Sequence, residues 1–324
     1  MPSPTRRSTT LTGAMAQHAK NKSAPGLILP KVKDHMLKEY GWDSDRDPTV
    51  IHPSEMAKDD WCLRATYLRI ISGAWPPDKE KFDYVRENIF AAGNDIHEKW
   101  QNRIIAAGFP MWGDWECSVC GEWARNTVQP DARGFSMQYG DGPLALVADN
   151  DECLDYYGGH RWAYREVTLN AREQLLIAGH SDGAFDNSLI EIKSIGLGTI
   201  RIDAPDLLKE YQEGKHTDLA GLWKGITKPL KSHLIQGDVY LHLAHVLGLP
   251  FDQIVYLYEF KANQMTKEFT VKYSPVRSGK LVAKADKIKY AVDHGIPPEC
   301  IKPGECKQCN AFPQRRTVAG TRNG

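Results

Sequence analysis

Long apolar runs are missing from this chain. No stretch approaches the roughly 20 residues a membrane-spanning helix needs, and no secretion-signal core is present near the first methionine. The expectation is a soluble protein of the cytoplasm with no membrane partner. Neither charge is in excess, since 41 Lys and Arg stand against 41 Asp and Glu. That excludes a protein coating nucleic acid through bulk charge, but leaves room for a local basic groove beside an acidic site. No G-x-x-x-x-G-K-[ST] phosphate loop occurs, so any DNA unwinding would come from a partner such as a helicase or a recombination protein. Residues 1–25 contain no acid and no apolar periodicity, and read as a disordered, mildly basic tail. Residues 313–324 read as a second loose tail.

Cysteine is sparse and odd in number, seven in 324 residues, so the thiols cannot all pair. A chain this long has enough apolar content, 41 %, for a core without staples. In a reducing compartment such cysteines bind metal more often than they form disulfides.

The remaining pattern is that of a mixed α/β protein. A helix is expected from Ser54, a good N-cap, through Cys62 to about Ile71. A longer one covers about Lys81 to Ala107, where Phe82, Val85, Ile89, Ile96, Trp100 and Ile104 recur at helical spacing. These elements make residues 26–107 an N-terminal helical part. Residues 108–160 are Gly-rich and irregular and read as an insertion with its own small fold. Residues 161–275 form the core, with strands over Trp162–Leu169, Gln174–Phe185, Ser188–Ser194, Ile254–Phe260 and Glu268–Tyr273. A helix over Lys231 to Leu247 lies among them. Residues 276–312 supply a last helix, Ser278 to Val292, and three cysteines.

The run Ile177 to Lys193 carries the most chemistry. Asp186-Asn187 is a good turn centre between two β-rich segments. With a two-residue loop, Phe185 faces Ser188, and Asp182 then falls opposite Glu191 at a Cβ separation of about 5 Å. A four-residue loop keeps that pairing and a three-residue loop breaks it. Alternation puts His180, Asp182, Glu191 and Lys193 on one face, and Phe185, Ile190 and Ile192 on the other. Facing carboxylates repel unless something compensates, and a divalent cation with oxygen ligands would do so. A surface hairpin with an acidic pair explains the same spacing, so on spacing alone both readings stay open.

Asp182 followed by Glu191-x-Lys193 resembles the catalytic signature of the PD-(D/E)XK nucleases, and Gly179-His180-Ser181-Asp182-Gly183 is similar to their RecB-like branch. Ser181 stands where the superfamily name has Pro. The helical Gly93-x-x-x-His97 upstream and Gln236-x-x-x-Tyr240 downstream complete the order of motifs in that branch, across roughly residues 50 to 312. The resemblance implies a restriction-endonuclease-like core, a mixed central sheet flanked by helices. It implies Mg or Mn held by His97, Asp182 and Glu191, with Lys193 at the attacking water. Gln236 and Tyr240 would position DNA. The activity implied is that of an exonuclease acting on DNA with free ends, mostly single-stranded, in recombination, repair or CRISPR-type processing. Relatives of this kind occur in bacteria, archaea and phages.

Cys300-x5-Cys306-x-x-Cys309, with Cys62 far upstream, could bind an iron–sulfur cluster or zinc through four thiolates. The arrangement is similar to the CRISPR-associated and AddB-type iron–sulfur exonucleases, which implies a 4Fe-4S cluster tying the N- and C-terminal parts together. Cys117-x-x-Cys120 has the form of a zinc knuckle that Cys153 and His160 could complete. Two other readings stand beside the nuclease. One is a non-catalytic DNA-binding or assembly subunit with the same fold, and the other is a zinc protein whose hairpin acids are surface charges.

Overall fold

In a computed structural model the protein is described at residues 28–39, 46–76, 84–136, 145–146, 153, 158–216 and 218–312. The two expected tails lie outside these, as do residues 81–83 of the long helix. The chain divides into two compact units, Met1–Asp45 with Glu80–Ile89, and Arg46–Lys79 with Phe90–Gly324. The first unit contains helix α1 (Leu29–Glu39) and the start of α4 (Tyr84–Ala106).

In the second unit the elements run α2 (Pro53–Met56), α3 (Leu63–Ser72), the remainder of α4, β1 (Trp112–Cys117), β2 (Trp123–Val128), β3 (Phe135–Ser136) and β4 (Ala145–Leu146). β5 (Trp162–Tyr164), β6 (Val167–Ala171), α5 (Arg172–Leu175), β7 (Ile177–Ser181), β8 (Gly183–Phe185) and β9 (Ser188–Ile195) follow. Helices α6 (Leu197–Asp203), α7 (Pro205–Gln212), α8 (Leu219–Gly225) and α9 (Lys231–Val246) then lead to β10 (Gln253–Phe260), β11 (Thr266–Lys272), α10 (Pro275–His294) and α11 (Lys307–Asn310).

A seven-stranded sheet has the order β11-β10-β9-β8-β1-β2, with β5 also paired to β1. β9 and β10 are parallel and the other neighbours antiparallel, so the sheet is mixed. The parallel pair requires a crossover, which α6 to α9 supply. β6 and β7 form a separate two-stranded ladder.

Strand β9 is buried on both faces. Ile190 and Ile192 pack with Met111 and Trp115 against Ile96, Trp100 and Ile104 of α4. Leu189 and Ile195 join Ile254, Tyr256, Tyr258 and Phe260 beneath Val239, Leu241 and Leu243 of α9. Helices therefore cover both faces of the sheet at the point where the acidic hairpin lies. Gly237 lets α9 come close, because a Cβ there would stand 2.0 Å from Tyr256 Oη.

Three expectations are corrected. The helix from Ser54 to Ile71 is two helices. His52 caps α2, the chain leaves helical geometry after Ala57, and Cys62 caps α3 with extended backbone (φ −97°, ψ 111°). Gln308 holds this break by donating to Asp60 O and accepting from Cys62 N. Residues 108–160 are not a separate insertion throughout, because β1 and β2 belong to the main sheet and β1 neighbours β8. The strand expected from Gln174 begins at Ile177, since Arg172–Leu175 is one helical turn closed by Leu176 in the left-handed region (φ 60°).

Candidate functional site

The turn at Asp186-Asn187 has the short form, with Asp186 at φ 47°, a conformation Asp tolerates better than most residues. Phe185 pairs Ser188, Ala184 pairs Leu189 and Gly183 pairs Ile190. One step further, Asp182 lies opposite Glu191. The ladder stops there because Asp182 sits between β8 and β7, and β7 pairs instead with β6. Val167 faces Ser181 in that second ladder, so continuing it one step places Glu166 opposite Asp182. Asp182 thus stands where two ladders diverge, with one carboxylate from each.

Both acids of the hairpin are buried, Glu191 at 1 % exposure and Asp182 at 6 %, which removes the surface-hairpin reading. Asp182 Oδ2 accepts from Ile192 N at 2.5 Å, and Oδ1 meets His97 Nδ1 at 3.0 Å. Gln101, one helical turn along α4, donates to Asp182 O at 2.8 Å. Lys193 Nζ lies 2.5 Å from Glu191 Oε1, while Glu191 Oε2 is buried with no hydrogen-bond partner. An orphaned carboxylate oxygen carries a desolvation cost that a cation would relieve.

The electrostatics follow from crowding three acids with two bases. Burial, with repulsion from Asp182, pushes the Glu191 carboxyl up to about 7 against the pull of Lys193 and His97. Burial and Asp182 push Glu166 up to about 7 as well. Burial opposes the charge of His97, but the bond to Asp182 outweighs it and the imidazole is raised. Lys193 is likewise raised, because Glu191 and Asp182 overcome its burial.

The helix after the hairpin completes the surroundings. Gln236 Nε2 donates to Tyr240 Oη at 2.8 Å, and burial together with the charge of Glu191 raises the Tyr240 phenol well above its usual range. Gly179 permits this packing, since a Cβ there would stand 2.9 Å from Pro53 and 3.0 Å from Tyr240 Cε1. Gly93 has no such role. A Cβ there would meet only Ser194 Oγ at 3.8 Å, so its smallness is not needed for close packing beside His97.

Sequence reasoning missed Glu166, His233 and Asp114. Glu166 emerges only with the β6–β7 register, which the structure supplies. His233 of α9 contacts Tyr258 Oη at 2.6 Å and is pushed down to about 3 by burial and the charge of Lys193. Asp114, buried, accepts from Asn126 N and Thr168 Oγ1 and pairs with Arg125. His97, Glu166, His180 and Asp114 line a cleft of about 680 Å³ whose other walls include Trp123, Trp162, Arg125 and Arg165.

Both cysteine sets come together. Among the described residues the ligand atoms of Cys62, Cys300, Cys306 and Cys309 lie within 4.8 Å of one another, as do those of Cys117, Cys120, Cys153 and His160. His97, Asp182 and Glu191 are not gathered so tightly; His97 pairs with Asp182, and Glu191 with Lys193. In the first set the sulfur separations are 3.9 Å (Cys62–Cys300), 3.4 Å (Cys62–Cys309) and 3.7 Å (Cys300–Cys309). Thiolates about 2.3 Å from one tetrahedral ion stand roughly 3.8 Å apart, so this spacing suits a single ion. A four-iron cube would hold the same sulfurs further apart. In the second set burial raises Cys117, but the amides of Cys120, Val119 and Arg161 and the His160 ring bring it down to about 6.

No family model matches the chain, and no curated protein does. Among solved structures it is similar to an alkaline exonuclease (LHK-Exo) from Laribacter hongkongensis, at 8 % identity and TM-score 0.41 over 77 % of this chain and 91 % of that one. The same enzyme in complex with dAMP gives 8 % identity and TM-score 0.40, over 77 % and 90 %. SSO0001 gives 14 % identity and TM-score 0.35, over 88 % and 94 %.

Proposed function

We propose that this chain is a divalent-metal-dependent DNA exonuclease of the RecB-like, PD-(D/E)XK type. The observation that carries the reading is the buried carboxylate pair Asp182–Glu191, with the Glu191 oxygen left unpartnered beside Lys193 and His97. Folding opposes burying like charges together, so such a cluster is explained by a ligand that needs it. A mixed sheet with helices on both faces fits the restriction-endonuclease-like architecture that the motifs imply.

Asp182, Glu191 and His97 offer two carboxylates and an imidazole, a donor set that suits Mg or Mn. Such an ion would acidify a bound water and polarise a phosphodiester oxygen. The protein's part is to exclude water and to hold the groups in place. Ile192 N fixes the Asp182 carboxylate, Gln101 holds its backbone, and Lys193 keeps a positive charge at the position where a water or phosphate oxygen would lie. Gln236 and Tyr240 cap the site from α9, where they would position the DNA.

The Cys62, Cys300, Cys306 and Cys309 set would hold a metal centre with a structural role. Four thiolates suit the 4Fe-4S cluster implied by the cysteine pattern, while the sulfur spacing favours one zinc ion. Iron with acid-labile sulfide in brown protein supports the first, and colourless protein with zinc the second. The reading as a whole is tested on end-labelled single- and double-stranded DNA with magnesium, manganese or chelator. Metal-dependent shortening from ends supports it. Uncut DNA with folded, metal-replete protein would return the chain to a non-catalytic DNA-binding or assembly role beside a helicase or recombination partner.

A further inference from the structure

The second ligand set lies outside the carboxylate site but is joined to it by one wall. Cys117 ends β1, Cys120 follows one turn later, and Cys117 pairs across the sheet with Trp162 of β5. The turn between the two cysteines is closed by Gly121 N donating to Cys117 O at 2.9 Å, with Gly121 in the left-handed region at φ 77°. Cys117 Sγ stands 3.7 Å from Cys153 Sγ, and Cys120 Sγ 3.5 Å from His160 Nδ1. Ligands bound at about 2.0–2.3 Å to one tetrahedral ion have separations of roughly this size. Cys117, Cys153 and His160 are buried, at 1 %, 0 % and 6 % exposure, and the His160 nitrogen that faces the thiols is Nδ1. A buried imidazole aimed at three thiols gains little from packing alone, and a Cys3His donor set is one that zinc takes in structural sites.

His160 does not line the cleft but packs behind one of its walls. Its ring stacks on Trp162 with centroids 4.8 Å apart and planes at 26°. Trp162 lines the cleft with Trp123, which is 38 % exposed and lies beneath the Arg125 guanidinium at 4.3 Å. Arg165, half exposed and paired with Glu116, flanks the same wall. Two indoles, Trp123 exposed and Trp162 half-buried, with arginines beside them form the kind of surface on which bases of a single strand stack and phosphates are tracked.

We propose that Cys117, Cys120, Cys153 and His160 hold one zinc ion, and that this ion sets the aromatic wall of the catalytic cleft against which a DNA strand lies. The second half rests on the nuclease reading and the first does not. The test uses the full chain. Metal analysis of wild type and Cys120→Ser should differ by one zinc per chain. Cobalt added to zinc-depleted Cys62→Ser protein, in which the other thiolate set is broken, should give the absorption bands of a tetrahedral thiolate site, and adding His160→Cys should keep the ion while shifting those bands. This cobalt titration stands even if Cys120→Ser fails to fold, and the absence of bands overturns the site. Equal zinc in wild type and Cys120→Ser, or a Cys117–Cys153 disulfide in place of the ion, overturns the site.

For the wall, oligothymidylate affinity is read by anisotropy with Glu191→Gln protein, which binds without cutting. Adding Cys120→Ser should weaken it by about tenfold or more, the loss expected when one base-stacking contact goes. Unchanged affinity overturns the wall. A protein that holds this zinc yet leaves DNA uncut in every metal contradicts the nuclease reading and leaves the zinc site standing.

Discussion

At the scale of the residue, the proposed chemistry turns on Glu191. Its Oε1 is tied to Lys193, its Oε2 has no partner, and Asp182 repels it from across the hairpin. Glu191→Gln and Lys193→Ala are each predicted to lower metal-dependent cleavage at least about a hundredfold, the scale of a positioned catalytic group. Initial rates on end-labelled DNA check this, and a folded variant cutting at the wild-type rate contradicts the assignment. A second prediction concerns pH. Glu191 and Glu166 are both raised from 4.5 to about 7, so the folded chain holds protons that the unfolded chain releases. Their contribution to stability is present below about pH 4.5 and lost as the pH rises through about 7. In chelator, the melting temperature should fall between pH 5 and pH 8 more steeply in wild type than in the Glu166→Gln, Glu191→Gln double variant. Stabilisation by manganese should grow over the same range. Parallel profiles for the two proteins would show that these acids are not the titrating groups. The Asp182–Glu191 pairing was legible from residue numbers alone, because a two-residue turn fixes every cross-strand partner. Glu166 was not, because which strand pairs with β7 is a tertiary fact.

At the scale of the element, two glycines separate a steric demand from a tolerated weakness. Gly179 of β7 faces Pro53 and Tyr240 at about the closest approach a Cβ could make. Gly179→Val should cost about 1–3 kcal/mol, as overpacking does, and displace Tyr240 from Gln236. Gly93 lies inside α4 with only Ser194 Oγ near, so Gly93→Ala should stabilise by up to about 1 kcal/mol through helix propensity. Denaturant unfolding of both variants checks the pair, and the opposite order of effects would contradict the packing described. Periodicity located α4, α9 and α10 because each presents an apolar stripe, the first two to the sheet and α10 to helices α3 and α9. It failed at residues 57–62, where Gln308 and the distant cysteines hold the chain out of helical geometry. It failed again at β1, whose Gly113, Asp114 and bulge disguise a strand at the middle of the sheet. There Gly113 admits Tyr164 Oη, which would stand 2.6 Å from a Cβ, and Asp114 N donates to Glu166 O. The irregularity that hid the strand is what brings it against the segment carrying Glu166.

At the scale of the whole molecule, Cys62 and Cys309 are 247 residues apart in sequence and 3.4 Å apart in space. A metal centre there closes a very long loop, which restricts the unfolded chain. Cys62→Ser is predicted to release that metal and to lower the melting temperature measurably, while leaving the helix and strand content unchanged by circular dichroism. A variant that melts like wild type would show that the thiols meet without clasping anything. Sequence spacing gathered both cysteine sets correctly, since four ligands of suitable type are a strong constraint even across long gaps. It could not choose between one ion and a cube, which depends on the distance between sulfurs. The central claim is that the buried Asp182–Glu191 pair exists to hold a catalytic cation. Its most direct test is isothermal titration of manganese into wild type and Glu191→Gln, alongside cleavage of linear and circular DNA by the same samples. The account predicts manganese binding and shortening of linear DNA by wild type, with both lost in the variant and circles spared. Equal manganese binding by the two proteins, or cleavage that persists in chelator, would contradict it.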